Sequence, residues 1–73
     1  MANLLEERLA EVLLERIRSD RHPSSTHMSM LESVASDRVL VEYALHLMER
    51  IEEDSNPSIP LMNRLKRVVG QFG

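Results

Sequence analysis

The chain has 73 residues, 42% apolar and 29% charged, with a net charge of −3, a composition that fits one small globular domain and excludes a disordered chain. It has no cysteine, so disulfides and thiolate metal sites are excluded. No continuous apolar run of the kind found in a signal peptide or membrane helix occurs, and the expected setting is the cytoplasm, away from membranes.

The first helix is expected over residues 3–19. Leu5, Leu9, Val12, Leu13 and Ile17 fall at i, i+4, i+7, i+8 and i+12 and predict its core-facing stripe. Leu4 and Leu14 sit beside that stripe, and Glu6, Glu7, Glu11 and Glu15 form a solvated face. A corner follows at Asp20-Arg21-His22-Pro23-Ser24. Proline has no N–H and pushes its predecessor out of the helical region, so Pro23 marks a break. Ser24 then caps a second helix over 24–35, whose inward side is Met28, Leu31, Val34 and Ala35.

Ala35-Ser36-Asp37 leaves almost no linker, and Ser36 or Asp37 can cap a third helix over 37–53. Its stripe is Leu40, Tyr43, Ala44, Leu47 and Ile51, with Met48 beside it and His46 at the boundary near Tyr43 and Arg50. The second corner holds Asp54, Pro57 and Ser58, and a fourth helix is expected over 58–70. Pro60 selects its cap. Counted from Asn56, Pro60 would fall at N4, where a missing N–H costs a bond; counted from Ser58, it falls at N2, where none is lost. Ser58 is the predicted cap. Met62, Leu65, Val69 and Phe72 are the expected inward stripe, flanked by Leu61 and Val68. The carboxylates of Asp20 and Asp54 suit the positive start of the helix that follows each corner.

The two corners belong to a longer repeat. With an offset of 34, Leu13–Ser36 and Leu47–Gly70 are identical at ten of twenty-four positions, among them Asp20/Asp54, Pro23/Pro57 and Ser24/Ser58. Chance supplies about one or two matches in such a window, so the chain reads as an internal duplication. The expected fold is all-α: four short helices as two tandem hairpins, residues 4–36 and 38–70, sharing one core within a single domain spanning 1–73.

Few residues carry candidate chemistry. Asp20, His22 and His27 cluster in the first corner, but their counterparts are Asp54, Asn56 and Leu61, and no metal-ligand spacing is present. Neither a metal nor another cofactor is expected. Ser24, Ser25 and Thr26 near His27 are explained by capping. The only glycines are Gly70 and Gly73, so no phosphate-binding loop is predicted, and the expectation is a protein that is not an enzyme. The charge is unevenly spread: residues 55–73 carry Arg64, Lys66 and Arg67 and no acid.

The sequence therefore points to a small protein–protein interaction module, a homodimer or an accessory subunit, with Leu4, Leu14 and Met48 as candidate partner contacts. The alternative is a helix-turn-helix nucleic-acid binder using Asn63, Arg64, Lys66 and Arg67 on the fourth helix. The acidic body and the small size of the basic patch make nucleic acid the weaker expectation.

Overall fold

The computed structural model describes residues 3–56 and 58–72. Among them are four helices and no strand: α1 (Leu4–Ser19), α2 (Ser25–Val34), α3 (Asp37–Glu53) and α4 (Ile59–Gly70). The fold is all-α, with α1 packed on α2 and α3 packed on α4.

Local chemistry sets the helix limits. Asn3 and Glu6 form a capping box at the start of α1: Asn3 Oδ1 accepts the Glu6 N–H at 2.8 Å, and Glu6 Oε1 accepts the Asn3 N–H at 3.4 Å. The helix stops at Asp20, whose backbone is extended and whose N–H bonds Arg16 O at 3.1 Å. Ser24 Oγ caps α2 by accepting from the N–H of Thr26 at 3.1 Å and of His27 at 3.4 Å. At α3, Ser36 O accepts the Leu40 N–H at 2.9 Å and Ser36 Oγ the Val39 N–H at 3.5 Å, so Ser36 takes the cap and Asp37 lies in the first turn. Ser58 Oγ accepts the Leu61 N–H at 3.2 Å, which places Pro60 at N2 of α4. Pro57, the other expected breaker, lies outside the described residues.

The chain divides into two compact units, one running through Leu40 and the other from Val41. In the first, the buried side chains are Ala10, Leu13, Leu14 and Ile17 of α1, Met28 and Leu31 of α2, and Val39 and Leu40 of the first turn of α3. That turn is also fastened to α1 by polar contacts. Arg38 Nη2 donates to Glu7 Oε1 at 2.8 Å and to Glu11 Oε2 at 3.3 Å, and Ser36 Oγ donates to Glu7 Oε1 at 3.4 Å. The hydrogen bonds it donates to Glu7 and then to Glu11 hold the Arg38 guanidinium pKa above its already high ordinary value. In the second unit, Tyr43, Ala44 and Leu47 of α3 and Val68 of α4 are buried.

Candidate partner-binding surface

The inward face of α1 keeps Leu13 and Ile17 of the expected stripe, both buried, but not its other three members. Leu5 is 82% exposed, and Leu9 and Val12 are also open. The buried set, Ala10, Leu13, Leu14 and Ile17, lies about a third of a turn further round at 100° per residue. Two apolar stripes run along α1, and hydrophobic periodicity alone does not rank them. Leu14 follows Glu7 and Glu11, the acceptors for Arg38, on one side of the helix at i+7 and i+3. Leu14 is 4% exposed and belongs to the core, which removes it from the candidate contact surface. Leu4, at 85%, remains fully available, and Met48 is at the margin with 36%.

Met48 is not isolated. With Val41 and Leu45 it makes an i, i+4, i+7 stripe along α3, of which Leu45 is the most open at 54%. Charged residues border both exposed stripes: Arg8, Glu15 and Arg16 by Leu5, Leu9 and Val12, and Arg38, Glu49 and Glu52 by Val41, Leu45 and Met48. A shallow groove on α1 is lined by Val12, Glu15, Arg16, Arg18 and Ser19. Sequence reading overlooked Val41 and Leu45, although their spacing with Met48 was the available signal.

On α4 the stripe also turns. Val68 is buried and Leu61 and Leu65 are half-buried, while Met62, Val69 and Phe72 are exposed, which corrects the expected inward set. Asn63, Lys66 and Arg67 are exposed and Arg64 is half-buried, so the basic group is split between outer surface and flank. In the first corner, the Asp20 carboxylate faces Arg16 of α1 at 3.6 Å. Pro23 and His27 are half-buried and His22 is exposed, and His27 Nδ1 is a buried nitrogen without a hydrogen-bond partner. Asp54 is exposed, and its N–H closes α3 on Arg50 O at 3.1 Å. Among the described residues no group of three or more His, Asp or Glu side chains is placed to hold a metal ion. The boundary residue His46 accepts the Arg50 Nε–H at Nε2, 2.8 Å away.

No helix among the described residues is long and apolar enough to cross a membrane. Comparison with protein-family models, with curated proteins and with solved structures found no match.

Proposed function

We propose that the chain is a small, non-catalytic protein–protein interaction module of the cytoplasm that works by covering its exposed apolar helix faces with a protein partner. One observation carries this reading: two helices each expose an apolar stripe at i, i+4, i+7 spacing, Leu5-Leu9-Val12 and Val41-Leu45-Met48. Scattered apolar residues on a surface are ordinary, but aligned ones on consecutive turns make the continuous strip that helix-packing partners bury. The charged residues bordering each strip suit the polar rim of such a contact.

The test is a solution-mass measurement of the purified chain combined with cross-linking in extract, each repeated with Leu5→Lys and Leu45→Lys. Association with itself or with another protein, lost in either variant, supports the reading. A chain that stays monomeric and cross-links to nothing refutes it.

The exposed Asn63, Lys66 and Arg67 of α4 support the weaker nucleic-acid reading, in which Arg64 completes the basic group. Salt-sensitive binding of duplex DNA by the unmodified chain would put that reading first, and no binding at low salt would remove it.

A further inference from the structure

The fourth helix carries a face of one charge sign that the fold leaves unused. All twelve Asp and Glu residues lie within residues 1–54, whereas residues 55–73 carry three of the nine Lys and Arg residues and no acid. Lys66 and Arg67 make no ion pair among the described residues. Carboxylates are present in the same compact unit, since Glu49, Glu52 and Glu53 of α3 are exposed, yet none of them is paired with these two cations.

At 100° per residue the exposed side of α4 spans about 160°. Val69 and Met62 lie at one edge of it, Lys66, Ile59 and Gly70 across the middle and Arg67 at the other edge, and all six are exposed. Its apolar members are well open, Ile59 at 66% and Val69 at 44%. Gly70 adds an independent observation. Glycine is the poorest helix former after proline, but here its φ is not positive, so the backbone does not require it. Packing does not require it either, because a Cβ built at this position meets nothing within 4 Å. What the missing side chain does provide is a low point on the open face, one turn beyond Lys66, where another backbone can come close.

We propose that this face of α4 binds a short acidic helix of a partner protein, one with carboxylates beside apolar side chains. The carboxylates meet Lys66 and Arg67, the apolar side chains cover Met62 and Val69, and the partner's backbone passes over Gly70. Charge complementarity sets the sign of the partner. The apolar residues on the same face argue against a bare polyanion, since a phosphate backbone covers none of them. An extended anion such as a duplex or a bilayer would also feel the charge of residues 1–54, where twelve acids outnumber six bases. A short segment touches the basic face alone. This rests on the interaction reading and supplies the chemistry of its partner.

The test titrates the isotope-labelled full chain with a synthetic helical peptide that has leucines at i, i+4 and i+7, glutamates beside them and no cation. Amide resonances of Met62, Lys66 and Gly70 should shift, and binding should weaken as salt rises. Reversing Lys66 and Arg67 together to Glu should weaken it about tenfold or more, as losing a central contact does. Gly70→Gln should do the same while leaving the urea midpoint no lower than the parent's, because the added side chain meets nothing within the chain. A polyglutamate of equal charge should bind about tenfold more weakly than the peptide, since it covers no apolar residue. A peptide that does not bind, shifts that fall on α1 or α3 instead, or a Gly70→Gln chain that binds as the parent does overturns the proposal. Tighter binding of duplex DNA or of phosphatidylserine vesicles than of the peptide also overturns it. The interaction reading is judged separately, by cross-linking through Leu5 and Leu45, which none of these variants alters.

Discussion

The two serine caps allow a comparison in which the structure ranks one substitution above its repeat-related twin. Ser24→Ala strips the acceptor from two N–H groups, those of Thr26 at 3.1 Å and His27 at 3.4 Å, and the second is part-buried, where water reaches it less easily. Ser58→Ala strips it from one, the N–H of half-buried Leu61, in a bond that itself lies open to water. Its neighbour Pro60 has no N–H to lose, so water restores most of what the hydroxyl gave. Cap removal costs about 0.5–2 kcal/mol; Ser24 should fall near about 1 kcal/mol and Ser58 near about 0.5 kcal/mol. For a domain of this size about 1 kcal/mol moves Tm by roughly 4–8 °C, so the Ser24 variant should melt roughly 4–8 °C low and the Ser58 variant about half that. Melts followed by circular dichroism, with urea midpoints at constant slope, measure both. Ser24→Asp, which keeps an acceptor at the cap, should recover most of the loss. If both alanine variants melt with the parent, or Ser58→Ala is the more damaging, the reasoning from donors and water access is wrong.

Other substitutions separate buried from open faces. Leu31→Ala and Leu14→Ala each remove a buried side chain and should cost about 2–5 kcal/mol, enough to unfold much of a domain whose core supplies only a few kcal/mol. Leu5→Ala, one stripe away on α1, should change stability by about 0.5 kcal/mol or less in urea titration, because the residue is already in water. Reversing Lys66 and Arg67, both exposed, together to Glu should leave the stability from urea titration within about 1 kcal/mol of the parent, since exposed charges contribute little. Pro60→Ala should be close to neutral in the same assay, as N2 has no intrahelical bond to regain.

The helix limits were legible in the sequence because they rest on local chemistry. Proline at 23 and 60, serine at 24, 36 and 58, and the near absence of a linker at Ala35-Ser36 place each start and stop. The inward faces of α2 and α3 were also legible, since each offers one dominant apolar side. On α1 and α4 two apolar sides compete and periodicity does not rank them, whereas contacts distant in the chain, such as Arg38 on Glu7 and Glu11 at separations of 31 and 27 residues, are outside its reach. A helical wheel contains no term for those contacts. The capping box at Asn3 and Glu6 was legible in principle, because the pair has the required spacing of three. The open stripe on α3 was visible only in part: Met48 stood out beside the main stripe, while Val41 and Leu45 join it once their side chains are seen to be exposed.

The seam between the compact units falls at Leu40 and Val41, inside α3, whereas the repeat in the sequence breaks at Ser36. Cutting the chain at the repeat border would take Arg38 away from Glu7 and Glu11 and remove Val39 from the first unit. Cutting at the unit border would leave four residues of α3, too few to hold a helical turn without the rest. Neither half is thus a portable piece. If the chain arose by copying one hairpin, the copied piece therefore lacked the turn that closes the first unit here, Arg38 and Val39 included.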